Sequence, residues 1–329
     1  MKNVSLKYNL QLFAEMNTNV TTSSGLSDEM KTYYSDYLID NAVPKLVHDQ
    51  FGQKHPIPKN GGKTIEFRKY SPLPKLTTPL QEGVTPNGQS LNMSTIEATV
   101  AQYGGYITLS DMLLLTAIDN NLVQATKLLG AQAGATLDTI TREVLNGGTN
   151  VIYSGGKDAR EDLDTTSLLT VDDIKKAVRL LKSQNAEQID GSWVGIINPD
   201  VAYDLTNDPA WKDVKTYSDP SDIYEGEIGK IYGVRFVETT EAKVWAGAGA
   251  GGRAVYSTII LGDNAYGTTE ITGGGLQHIV KQLGSAGTAD ALDQRATAGW
   301  KATKVAERLV ENYMVRIESA STFNPTANN

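Results

Sequence analysis

Apolar and small residues recur at Ile118, Leu122, Ala125, Leu129, Ala133, Ile140 and Val144, the spacing of one helix face. No proline falls between positions 87 and 198, and Asn146, Gly147 and Gly148 supply a stop. The pattern predicts a helix over residues 115–146, roughly 45 Å long at about 1.5 Å per residue, a spine rather than a short packing helix. Ile118, Leu122, Leu129, Ile140 and Val144 are its expected core positions.

Residues 54–108 have a different rhythm. In Lys63–Tyr70, Ile65 and Phe67 alternate with Glu66 and Arg68, as in a strand with one buried face. Ile96, Ala98 and Val100 repeat the alternation. Between the two runs lie Pro72, Pro74, Pro79 and Pro86, too many for a central strand. This predicts a long two-stranded excursion with an irregular, polar tip. Such a ribbon has no core of its own and needs another surface to lie on.

The remaining pattern is mixed. A polar linker over 16–27 leads to a helix opened by Ser27, with Asp28 and Glu29 in its first turn. Thr170 and Asp173 form a capping-box variant before Ile174, Val178 and Leu181. Asn198 and Pro199 open another helix. Strands are expected at Trp193–Ile197, Ile231–Val237, Ala254–Leu261, 276–283 and 308–318, the last through Val310, Tyr313, Val315 and Ile317. The class is α+β, without a tandem repeat.

Composition adds exclusions. The chain has 329 residues and no cysteine, so disulfides, zinc-thiolate sites and cysteine nucleophiles are out. Its net charge is −8, where a nucleic-acid clamp would carry a basic excess. No run approaches the length of a membrane span. Met1–Glu15 carries Lys2 and Lys7 beside Leu6, Leu10, Leu12 and Phe13, but Asn9 and Gln11 interrupt it. It reads as an amphipathic arm, not a signal peptide.

Catalytic and ligand motifs are not matched. The GAGAGG run at 247–252 precedes a strand, whereas a dinucleotide fingerprint needs a helix. Gly62-Lys63-Thr64 ends like a phosphate loop, yet Ile57 stands where its first glycine belongs. His48, His55 and His278 make no helical metal pair, and there is no GxSxG elbow. The loop bearing Asp219, Asp222, Glu225 and Glu227 lacks the ligand register of a calcium hand. No cofactor is expected.

Charge is unevenly spread. Residues 54–75 hold Lys54, Lys59, Lys63, Arg68, Lys69 and Lys75 against Glu66, a net of +5. Residues 200–241 hold ten carboxylates against Lys212, Lys215, Lys230 and Arg235, a net of −6. These are two solvated faces or complementary surfaces on neighbouring copies. Under the second reading the interface candidates are Lys59, Lys63, Arg68, Lys69, Lys75, Asp219, Asp222, Glu225 and Glu227.

Several stretches, in order, carry a family resemblance: LQLFAE, LVHDQFGQKHPIPKNGGKTIEFRKYSPLP, LQEGVTP, ATVAQYGGYITLSD, LLGAQAGATLDTITREVLNGG, INPDVAYDL, GEIGKIYGVRFVET and GWKATKVAERLVENYMVRIESAS. Over about residues 30–320 the chain resembles the major capsid proteins of tailed bacteriophages, with the Hong Kong 97-type fold, and most of all their coliphage N-four-like subgroup. The resemblance implies a non-enzymatic, self-assembling subunit of the icosahedral shell around double-stranded DNA. It would form hexamers and pentamers in the host bacterial cytoplasm and reside in the virion capsid. Portal, scaffolding or decoration proteins would be further partners, and packaged DNA a weak, non-specific one, with no membrane contact. The implied parts are an arm and first helix (1–53), an extended loop (54–108), a peripheral domain (109–149 and 241–329) and an axial domain (150–240). Isopeptide crosslinking, known in the family, finds no matching residues. On the residues alone, a nucleotide-metabolism enzyme and a DNA-binding or scaffolding protein compete with this reading. The acidic charge and missing motifs weigh against both.

Overall fold

A computed structural model describes residues 47–80, 82, 83, 85, 87–116, 121–211, 229–285 and 290–326, with strand β1 (Thr18–Asn19). The expected arm, the Ser27 helix, Ile118, the side chain of Leu122 and the acidic loop lie outside the described residues. The other elements are β2 (Gln53–Lys54), β3 (Thr64–Tyr70), β4 (Met93–Thr99), β5 (Ala101–Ser110), α1 (Asp111–Thr116), α2 (Asn121–Asn146), β6 (Val151–Tyr153), α3 (Val171–Ser183) and β7 (Trp193–Ile197). They continue with α4 (Pro199–Asn207), β8 (Lys230–Ile231), β9 (Val234–Glu238), β10 (Val244–Trp245), β11 (Val255–Leu261), β12 (Tyr266–Thr269), β13 (Gln277–Lys281), β14 (Arg295–Arg308) and β15 (Met314–Ser319). None of the described helices is long and apolar enough to cross a membrane.

The chain forms two compact units. One comprises Met1–Val43, Gly104–Ala133 and Leu276–Lys301; the other comprises Pro44–Tyr103, Gly134–Gly275 and Ala302–Asn329.

The second unit is built on a mixed sheet in the order β6-β15-β11-β7-β9-β8, with β10 added beside β11. Strands β7, β11 and β15 are buried along their whole length, which explains the near-continuous apolar runs of β7 and β11; β15 buries Arg316 and Glu318 as well. Their side chains divide with period two. Trp193, Ile197, Tyr256, Ile260, Val315 and Ile317 share a core with Ile174, Val178 and Leu181 of α3 and Val201 and Leu205 of α4. On the other face, Ile196, Ile259, Leu261 and Met314 meet Leu145 and Tyr266. Local signals set the helix starts. Thr170 and Asp173 complete a reciprocal capping box, and the Asn198 side chain accepts from the Asp200 amide ahead of Pro199. Tyr232 and Gly233, at φ 49° and 84°, supply the paired left-handed conformations that turn β8 into β9. The expected domain boundary at 240 therefore runs through one sheet: β11 and β15 share it with β7 and β9.

In the first unit, β5 pairs with β1 on one side and β14 on the other, and β13 pairs with β14. Leu109, Leu113, Leu129, Ala133, Ala298 and Trp300 are buried. The Trp300 indole donates to Gln132 Oε1 at 3.1 Å.

Helix α2 begins at Asn121 and has 26 residues, about 39 Å at 1.5 Å per residue. Leu129 is buried, but Ile140 and Val144 are only half-buried; Leu137, Thr141 and Leu145 take the inward positions. The expected face drifts after Ala133 because the second half of the helix buries polar groups, which apolar periodicity does not count. Asp138 receives the His48 amide and faces its Nδ1 at 2.6 Å. Thr141 donates to Asp49, which also pairs with Lys304. The Tyr266 hydroxyl donates to the His48 carbonyl. Burial pushes the Lys304 ammonium below the ordinary lysine range, and Asp49 opposes that shift.

Leu129→Asp should place an unpaired carboxylate in a site that is 2% exposed. The expected cost is about 3–5 kcal/mol from lost packing and desolvation. Soluble yield and circular dichroism test this, and wild-type yield of folded protein contradicts the helix phase.

Candidate functional site

The strands β3 and β4 form an isolated antiparallel ribbon, registered from Thr64 opposite Thr99 to Tyr70 opposite Met93. Its root is tied down. Val100 donates to the Lys63 carbonyl at 2.8 Å, and Ile57 exchanges backbone bonds with Glu270 and Thr272 at 2.8 Å each. His55 meets the Phe67 ring edge-on. The His48–Asp138 and Asp49–Lys304 contacts fix the chain that leads into it.

Away from the root the ribbon has two exposed faces. Ile65, Phe67 and Ile96 are half-buried near the base. Residues 71–92 form neither helix nor strand where described; Ser71 donates to the Asn92 carbonyl at 2.9 Å and the Gln89 amide to the Pro74 carbonyl at 3.2 Å. The expected excursion ran to 108, but the ribbon stops at Thr99, and Gly104–Ala133 belongs to the first unit. The tip is also less polar than expected. Tyr70, Leu73, Leu76, Leu80, Leu91 and Met93 are all exposed, with Leu76 and Leu80 at 77%. These solvent-facing apolar side chains stand on a two-stranded ribbon that has no core of its own.

The five expected cations, Lys59, Lys63, Arg68, Lys69 and Lys75, are exposed on this segment. Arg68 and Lys69 point to opposite faces, since neighbours alternate along a strand. Arg68 Nε lies 3.5 Å from Glu66, which stands opposite Glu97. Part of the Arg68 charge is thus already engaged within the ribbon, though an exposed pair contributes little. Their proposed partners, Asp219, Asp222, Glu225 and Glu227, fall outside the described residues. The exposed leucines were visible in the sequence; their spacing among prolines matched neither strand nor helix period. Among the described residues, no cluster of three or more histidines and carboxylates could hold a metal.

The fold as a whole matches solved phage shells. The capsid of Ralstonia phage GP4 aligns with a TM-score of 0.65 and 15% identity, over 84% of this chain and 88% of that one. The cyanophage Pam1 capsid aligns with a TM-score of 0.64 and 15% identity, over 98% of this chain and 100% of that one. The cyanophage P-SCSP1u capsid gives 0.60 and 14% identity, over 95% and 94% of the two chains. At these identities the likeness establishes the Hong Kong 97-type fold. Comparison with curated proteins finds no match. A family model described as phage capsid protein matches residues 115–282, just over half of the sequence, and the chain belongs to that family.

Proposed function

We propose that each copy of this capsid protein lays its ribbon, residues 54–100, across a neighbouring copy, and that this contact closes the shell. The protein itself is a non-enzymatic, self-assembling subunit of the phage head. The observation that carries the ribbon's role is the row of exposed apolar side chains on an element with no core of its own.

Other assignments follow from the sequence motifs. Their order supports a relationship with the coliphage N-four-like subgroup. Helix α2 is the spine of the peripheral domain, and residues 150–240, with the strands that complete their sheet, form the axial domain at the five- and six-fold centres. Portal, scaffolding or decoration proteins are further partners. The net charge of −8 suits a shell that lines packaged DNA without gripping it.

Expression of the chain, with sedimentation and negative-stain microscopy, tests the reading. Closed shells, or hexamers and pentamers that convert to shells on addition of a scaffolding protein, are expected. A stable monomer under both conditions overturns it.

A further inference from the structure

The sequence holds three Asn-Gly pairs: Asn60-Gly61, Asn87-Gly88 and Asn146-Gly147. Such a pair can cyclise. The backbone nitrogen of the glycine, once it sheds its proton, attacks Cγ of the asparagine side chain, and no Cβ crowds its approach. The step needs two things of the fold: a side chain free to turn, and a backbone N–H that is not already donating to an acceptor.

The three pairs differ in both respects. The Asn146 side chain is held from two sides, its amide donating to the Arg142 carbonyl at 2.8 Å and its oxygen accepting from the Ser257 hydroxyl at 2.5 Å. Asn146 is buried, and the Gly147 N–H donates to the Glu143 carbonyl at 3.0 Å and the Val144 carbonyl at 3.2 Å. Asn60 is exposed, but the Gly61 N–H donates to the Pro58 carbonyl at 2.9 Å, in a turn that sets Asn60 at φ 68°. Asn87 and Gly88 are both exposed, in a stretch that forms neither helix nor strand. Among the described residues, the Gly88 N–H donates to no acceptor and the Asn87 side chain has no hydrogen-bond partner. The space around Gly88 is open, since a Cβ built there would meet nothing within 4 Å.

We propose that Asn87-Gly88 is a self-modification site, at which the chain loses ammonia and gains a carboxylate. A bond forms between the Gly88 nitrogen and Asn87 Cγ as the Cγ–Nδ2 bond breaks. The amide nitrogen leaves as ammonia, taking the proton that Gly88 gave up. The resulting cyclic imide takes up one water. Opening at Cγ gives aspartate; opening at the backbone carbonyl gives isoaspartate, with the main chain routed through the side chain. Water enters, ammonia leaves, and nothing is oxidised or reduced.

Over residues 76–92, Glu82 is the only charged side chain, so the product doubles the negative charge of that stretch. The same stretch exposes Leu76, Leu80 and Leu91. A carboxylate opposes taking such a surface out of water unless a cation meets it. On the reading that a neighbour covers the tip, an aged subunit therefore joins a shell less readily than a fresh one.

Mass spectrometry of the unassembled chain tests the chemistry. After incubation in mildly alkaline heavy-oxygen water and digestion in ordinary water, the peptide carrying residue 87 should have gained heavy oxygen at least about tenfold faster than those carrying residues 60 and 146, whose amides react only on local opening. Fragmentation should show isoaspartate beside aspartate at 87, which direct hydrolysis of the side chain does not give. Gly88→Ala keeps Asn87, and Gly88 lies outside the left-handed region, so circular dichroism should be unchanged. Uptake at 87 should fall at least about tenfold, because the added Cβ crowds the nucleophile. Equal rates at the three asparagines, or an undiminished rate in Gly88→Ala, overturn the site. Assembly is a separate readout: Asn87→Asp should lower shell yield severalfold. Wild-type yield from that variant overturns the consequence for assembly and not the chemistry, which the masses alone decide; the ribbon reading is tested independently by loss of its tip.

Discussion

Replacing Glu318 with leucine should cost about 3–5 kcal/mol of subunit stability, the scale for breaking a buried ion pair from one side. Glu318 is fully buried and holds two guanidinium groups. Arg160 donates through Nε and Nη2 at 2.6 Å each, and Arg316 through Nε at 2.8 Å. Arg160 also stacks 3.7 Å over the Trp245 ring. Arg316 Nη1 donates to the Gly148 carbonyl at 3.0 Å and to that of Asn146, closing the C-terminal end of α2. Without the carboxylate, Arg316 is left as a buried cation without its counter-ion, and the partly exposed Arg160 loses both of its bonds to Glu318. Urea unfolding of the unassembled subunit measures the loss. Glu318→Gln, which keeps shape and one acceptor, should fall between leucine and wild type. Arg160→Leu should cost less, since Arg160 is partly exposed and Arg316 still pairs with Glu318. A loss below about 1 kcal/mol for Glu318→Leu would contradict this account.

Removing the ribbon tip should have the largest effect on assembly. With residues 72–92 replaced by a short Gly-Ser turn, the subunit should keep its circular dichroism spectrum but form no closed shells. Each contact can be weak, because a shell closes through many at once; the same multiplication makes loss of one repeated contact severe. The charge reversal Lys63→Glu, Arg68→Glu and Lys69→Glu is the milder companion. It should also block shells if the cations meet carboxylates on a neighbour. Because Arg68 borders Glu66 and Glu97, its reversal places three carboxylates together within the ribbon, so Lys63→Glu with Lys69→Glu is the cleaner variant. Wild-type shells from that pair remove the electrostatic part, and wild-type shells from the truncation remove the ribbon's role. Unfolding of the truncated chain assigns the tip to the subunit's own core.

What the sequence conveyed depended on whether apolarity and burial coincide. They coincide at Ile65 and Phe67, at Leu129, and along Val255–Leu261, and those elements were legible. They separate at Arg316 and Glu318. Val315 and Ile317 marked the strand, but the ion-paired Arg316 and Glu318 that alternate with them are buried as well. They separate again at Asp138, Thr141 and Arg142, buried polar residues on α2 that broke the predicted helix face. His48 gave no signal, because its partner Asp138 is 90 positions away. Strand β14 was missed except for its last residue, Arg308, because the expected strand began there: its alternation pairs alanine and glycine with lysine and threonine, too weak an apolar signal. At the ribbon tip the separation runs the other way, with leucines exposed among prolines.

The register of the ribbon sets Glu66 directly opposite Glu97. Two like charges facing each other across a strand pair oppose that pairing, and the exposed Arg68 beside Glu66 offsets only part of this. Under the docking proposed above, the neighbour supplies part of the ordering of the ribbon, so each new contact yields less than its area suggests. Such contacts favour reversible addition, in which a misplaced copy can leave before the next one locks it in and a growing lattice has time to correct its errors.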